Sequence, residues 1–278
     1  MPKKIFTALL YVCAAIGVFF ILGYFAVRFG LTNTNGIIDT QREGFLNTAS
    51  STSADLSPHY PQGTPWENTE EWEVIAVALT KDQSVLVRAA NDSGVPARLI
   101  AANLITEQLR LFFTEREAYK KFFYPLKILG PQSQFSWGVM GMKEETAIQV
   151  EQHLKDQNSP YYLGPAYEHA LDFTATTTDI SRARFVRMTD QYNHYWSYLY
   201  AGLFIKQIEA QWARAGFPIS NNPAIISTLY NIGFEHSTPK ADPQVGGAAI
   251  TINGVTKSFG ALSAEFYNSK LLFDIFPR

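Results

Sequence analysis

The alternation of apolar and polar residues divides the chain into three parts. From Ile5 to Val27 no charged residue occurs and most positions are apolar. At a rise of ~1.5 Å per residue, a helix of this run crosses a hydrocarbon core of about 30 Å with room to tilt. The run is longer than the usual apolar region of a secretion signal, and no small-x-small cleavage site follows it. It therefore predicts an uncleaved transmembrane anchor over residues 1–29. Over 30–65 the composition turns to Ser, Thr, Asn and Gly, as in "NTASSTSADLSPHYPQGTP", which predicts a flexible tether. A folded body is expected over 66–278, beginning at Trp66.

Within that body a helical period dominates. "EEWEVIAVALT" and "DQSVLVRAAND" predict two short helices, the second stopped by Gly94. Pro96 suits the first turn of the next helix, where its missing N–H costs nothing. "TEREAYKKFF" predicts continued helix after Thr114, and "KEETAIQVEQHL" a further amphipathic helix after a loop around "ILGPQSQFSWG". The longest helical pattern extends from Asp179 to about Ala215, and Asn222-Pro223 opens "PAIISTLYNIGF". "AAITINGVTKS" alternates about Asn253-Gly254, the signature of a two-residue hairpin. "ALSAEFYNSKLLFDIF" closes the chain as a helix. The fold class is mainly α with a small C-terminal β-hairpin, preceded by one N-terminal transmembrane helix.

One helical stretch raises a chemical question. "LIAANLITEQLRLFF", residues 99–113, is nearly continuous in apolar residues but carries Glu107. Ile100, Asn103, Leu104 and Leu111 share its face, whereas Gln108 and Arg110 are read as pointing elsewhere. A carboxylate there either stands at the rim of the core with its tip in water or lines a cleft.

Composition narrows the chemistry. A hydrophobic content of 46% with 14% aromatic residues argues for a packed body, and a net charge of −2 gives no pull toward nucleic acid. The single cysteine, Cys13, excludes an internal disulfide framework. The histidines (His59, His153, His169, His194 and His236) lack metal-ligand spacing, so no metal site is expected. Phosphate-loop and nucleophile-elbow motifs are absent, and no cofactor is expected. Tyr192, Tyr195 and Trp196 in "QYNHYWSYLYAGLF" offer rings to a sugar, but helical spacing assigns that stripe to the core. Lys3 and Lys4 nearly balance Arg28 and Arg42 across the anchor; the amino terminus is read as inside and the body as outside.

Two further stretches follow Glu107 in order. "SWGVMGMKEETA", Ser136 to Ala147, is a glycine-rich turn running directly into a helix, and "LYNIGF", Leu229 to Phe234, ends another. A helix with one Glu, then a segment like S-x-G-L-M-Q-x-x-x-S-T-A, then Y-N-x-G, resembles the lytic transglycosylase and goose-type lysozyme branch of the lysozyme-like superfamily. The resemblance covers roughly residues 95–234. Ser136, Trp137, Gly138, Val139, Met140, Thr146 and Ala147 keep the register of the second motif, and Tyr230, Asn231 and Gly233 match the third. Gln108 stands where the family has Ser after its acid, and Gly141 where it has Gln after Met.

The resemblance implies a lysozyme-like domain that cleaves the β-1,4 bond between N-acetylmuramic acid and N-acetylglucosamine. Glu107 would be catalytic, with Ser136, Trp137, Gly138, Val139, Met140, Tyr230 and Asn231 contacting substrate. The implied partners are peptidoglycan glycan strands, and the membrane through the N-terminal helix, with the domain on the cell-wall side. Physically, a glycosidic bond needs a proton delivered to a poor leaving oxygen, and an apolar helix face can hold a carboxyl for that task. Gly138 and Gly141 would let backbone approach a sugar, and Tyr230 would hydrogen-bond the acid or steer its proton. Gln108 and Gly141 keep open a non-catalytic peptidoglycan-binding or scaffold protein, and a muramidase hydrolysing the same bond is the third reading.

Overall fold

The computed structural model describes residues 66–113 and 136–278, together with positions 11, 18 and 64. The continuation after Thr114 and the tether, apart from Thr64, lie outside the described residues, as does the anchor apart from Tyr11 and Val18. Among the described residues no helix is long and apolar enough to cross a membrane.

The described chain is mainly helical, with two small antiparallel hairpins. The helices are α1 (Glu70–Lys81), α2 (Gln83–Ser93), α3 (Ala97–Phe113), α4 (Glu144–Lys155), α5 (Ile180–Met188), α6 (Tyr195–Arg214), α7 (Pro223–Ile232) and α8 (Phe259–Asn268). The first hairpin pairs β1 (Ser136–Trp137) with β2 (Met142–Lys143), and the second pairs β3 (Ala249–Ile252) with β4 (Val255–Ser258). Local chemistry sets several boundaries. Thr69 and Asn222 cap α1 and α7 by accepting the N–H of Trp72 and Ile225 at 3.2 Å each. Gly94, at φ 68°, ends α2 in the left-handed region. Asn253 and Gly254 both have positive φ, 50° and 79°, as a two-residue hairpin loop requires.

Helix α3 is the axis of the body. It is buried from Arg98 through Leu109, and α1, α2, α6, α7, α8 and β3 pack around it. A helix buried on all sides needs neighbours that cover its apolar residues and give its polar ones partners. Helix α6 crosses α3 and also covers α2 and α4, while α7 and α8 pack against each other.

Two boundaries differ from the sequence reading. The pattern from Asp179 to Ala215 is broken between Met188 and Tyr195. Asp190 accepts the N–H groups of Tyr192 and Asn193 at 2.8 and 3.1 Å, and Asn193 accepts that of Tyr195 at 3.2 Å. These side chains replace the helical ladder with local turns. His194 then pairs with Asp82, whose other partner is the Tyr198 hydroxyl at 2.7 Å, tying the start of α6 to the start of α2.

The last helix ends at Asn268 rather than running to Phe276, because the chain beyond it wraps around the guanidinium of Arg98. Arg98 is fully buried and donates to the carbonyls of Phe266, Tyr267, Ser269, Leu271 and Phe276 at 2.8–3.0 Å. The terminal helix and the segment after it are thus locked to the central helix.

Candidate functional site

The turn that follows β1 is built by its glycines. Pairing of Trp137 with Met142 leaves Gly138 to Gly141 to reverse the chain, closed by Gly141 N–H donating to the Gly138 carbonyl at 3.2 Å. Both glycines are left-handed, at φ 63° and 60°, a conformation that L side chains avoid. Three helices then hold the turn. Gln108 of α3 donates to the Val139 carbonyl at 2.5 Å. Ser197 of α6 accepts the Met140 N–H at 3.4 Å. Tyr230 of α7 donates to the Met140 carbonyl at 2.9 Å.

Glu107 meets this turn from α3. Its residue is 3% exposed, so it belongs to the interior rather than to a wet rim. A Cβ added to Gly141 would lie 2.0 Å from Glu107 Oε1 and 2.5 Å from Cδ, so the carboxylate occupies the space that glycine leaves. At Gly138 the same space is taken by the Met188 carbonyl, 1.9 Å from such a Cβ. The space a side chain would take is thus filled from within the protein, by the carboxylate at Gly141 and by a neighbouring backbone at Gly138.

Arg110 also departs from expectation. Rather than pointing elsewhere, it turns back along α3 and forks the acid, with Nε 3.0 Å from Oε2 and an Nη 2.5 Å from Oε1. Residues three apart on a helix are surface neighbours, and a long guanidinium side chain bridges that spacing. Both carboxylate oxygens therefore accept hydrogen bonds from one partner.

Tyr230 is close enough to feel the pair. Burial pushes its phenol well above the ordinary range, the charge of Glu107 pushes it further, and that of Arg110 opposes the rise. Its hydroxyl proton goes to the Met140 carbonyl, so Tyr230 positions the turn instead of hydrogen-bonding the acid.

The structure thus gathers Glu107, the Gly138–Gly141 turn and Tyr230, although they come from distant parts of the chain. Trp137, Gly138, Val139 and Met140 are buried, with Trp137 edge-on to Phe185 at 5.2 Å. Ser136 lies in β1, and its side chain is outside the described set. Asn231 faces another way, its Oδ1 accepting the Ala248 N–H at 2.8 Å and so fastening the approach to the second hairpin. The aromatic stripe divides: Tyr198, Tyr200 and Phe204 are core, whereas Tyr192 is fully solvent-facing. Arg187 stacks between Phe173 and Trp196, 3.9 and 4.1 Å from the ring centroids.

Sequence reasoning missed Arg110, Gln108 as a prop for the turn, and a second acid forked by an arginine, the half-buried Glu151. Glu151 on α4 is forked by Arg184 at 2.7 Å through both oxygens and also accepts from Tyr200 at 2.5 Å. Among the described residues no group of three or more His, Cys, Asp or Glu could hold a metal ion. Comparison with protein-family models, curated proteins and solved structures gives no match.

Proposed function

We propose that this chain is a membrane-anchored lytic transglycosylase of peptidoglycan, with Glu107 as its single acid and base. The observation that carries the proposal is convergence: the three stretches that resemble the family's motifs meet at one buried carboxylate. In the proposed reaction the Glu107 carboxyl gives its proton to the oxygen bridging muramic C1 and the next sugar, and the C1–O bond breaks. The muramic C6 hydroxyl oxygen then bonds to C1, and its proton returns to Glu107. No water is consumed. A proton on either oxygen of Glu107 requires the Arg110 fork to open there, because a guanidinium can only donate. Anchor and tether would confine the activity to a layer next to the membrane and raise its effective concentration at the wall.

The test is incubation of the full chain with purified sacculi and mass spectrometry of the fragments. Anhydro ends, one water lighter than hydrolysed ends, are expected, and Glu107→Gln should lower their formation by about 10²–10⁴-fold. Hydrolysed ends would instead identify a muramidase. Undiminished cleavage by Glu107→Gln would sink the assignment of the acid.

A second reading, a non-catalytic strand-binding or scaffold protein, is favoured by the occupancy of both Glu107 oxygens and the burial of Trp137 to Met140. Equal strand binding by wild type and Glu107→Gln, with no turnover by either, would select it.

A further inference from the structure

We infer that Arg110 is the residue through which this site reads a carboxylate on its substrate. The guanidinium leaves Glu107 for an anionic group on the glycan strand, and Glu107 is thereby released to exchange its proton. The inference rests on the proposed glycan-cleaving function and assigns the specificity of that same site.

Three observations carry it. First, the groups around Glu107 differ in their freedom to move. Gly141 is backbone, fixed by its own turn and through Met140 by Tyr230. Arg110 is a long side chain near the end of α3, and its side chain is 14% exposed against 4% for that of Glu107. The guanidinium is the outer member of the pair. Second, its planar fork already engages one carboxylate through both oxygens, the geometry that suits another carboxylate equally. Third, Glu107 abuts Gly141 at distances that leave no room for a methyl group, so the acid cannot retreat toward the turn to escape the fork. Opening the pair therefore means moving Arg110: a substrate carboxylate offers the guanidinium a new partner, and Glu107, the deeper of the two, takes up a proton so that it is not left a buried unpaired charge. A neutral strand offers none and leaves the pair closed.

The carboxylate can be the lactyl group of muramic acid or lie on an attached peptide, and the test separates these sources. The full chain is assayed on peptide-bearing strands, on strands stripped of peptide to leave free lactyl carboxylates, and on stripped strands whose carboxyls are methyl-esterified. Wild type should cleave the esterified strands about tenfold or more slowly than the better anionic form. Whichever anionic form is faster identifies the source. Arg110→Gln should bring the ratio close to one whatever its absolute rate, and Arg110→Lys, which keeps the charge but loses the fork, should give an intermediate ratio. Equal rates on all strands by wild type, or discrimination surviving in Arg110→Gln, would overturn the inference.

A readout independent of cleavage is the Arg110 Nε–H resonance, assigned with Arg110→Lys, during titration with N-acetylmuramic acid, with a peptide-bearing muramic acid, and with the methyl ester of each. The acid that is the source should shift it and its ester should not. A resonance unmoved by both acids overturns the carboxylate reading. A shift in a chain that cleaves nothing would instead refute the proposed enzyme and keep Arg110 as a carboxylate reader.

Discussion

Helix α3 buries two charges with different fates. Arg98 gives its hydrogen bonds to five backbone carbonyls of one C-terminal segment. Glu107 gives both oxygens to one side chain, Arg110, on its own helix. A charge saturated by backbone can change partner only if the chain unwinds. A charge held by a flexible, partly exposed side chain can change partner while the fold stays intact. The first arrangement is built for stability and the second leaves chemistry open, although the helix is the same and the burial similar.

Arg98→Leu breaks the first arrangement, and the largest effect on the fold is expected from it. Several buried carbonyls lose their donor at once, a loss of about 3–5 kcal/mol by comparison with other disrupted buried charge networks. Urea unfolding of the full chain measures it, and hydrogen exchange should show the 259–278 segment losing protection first. Strand cleavage per folded molecule should change little. A cost below about 1 kcal/mol would mean that apolar packing of α8 alone holds the C-terminal segment, removing one side of the contrast.

Gly141→Ala should show the opposite balance. A left-handed conformation costs a non-glycine residue about 1–2 kcal/mol. The new methyl also falls on the Glu107 carboxylate, which must shift and take the Arg110 fork with it. A displacement of about 1 Å at a reacting group can lower rate by roughly 10²-fold. Activity should therefore fall much further than stability. If the two fall in proportion, Glu107 is part of the scaffold in the same sense as Arg98.

How far the two regions could be read from sequence follows the same division. Features set by neighbouring residues were legible: the helix start at Asn222-Pro223, the stop at Gly94 and the Asn253-Gly254 hairpin. So was the order of Glu107, the glycine turn and Tyr230, which come together in space. Features set by distant partners were not. The end of α8 depends on Arg98, 168 residues before Phe266, and the break before α6 depends partly on Asp82. Arg98 did leave a trace, since a cation in the first turn of a helix opposes the helix dipole and so points to a tertiary partner. Arg110 was legible by the i,i+3 rule; Glu107's apolar helix face concealed it. What fills the space at Gly138 and Gly141 was not legible, because sequence shows that a Cβ is missing without showing what takes its place.

Tyr230→Phe makes the smallest change and separates two roles for one hydroxyl. The ring, packed with centroids 5.3 Å from Phe204 and 6.4 Å from Phe259, is retained, and only the bond to the Met140 carbonyl is lost. A neutral hydrogen bond of this kind contributes about 1 kcal/mol, and the orphaned carbonyl adds a comparable penalty if water cannot reach it. If Tyr230 acts by holding the turn against Glu107, cleavage should fall several-fold, with a stability loss of about 1–2 kcal/mol. If it passes a proton to or from Glu107, the rate should instead fall by about 10²-fold or more with the same loss of stability. The burial and the adjacent carboxylate charge that hold its phenol proton in place argue for the first outcome. A large loss of rate in a well-folded Tyr230→Phe chain would move Tyr230 into the chemistry and leave Gln108 and Ser197 as the remaining supports of the turn.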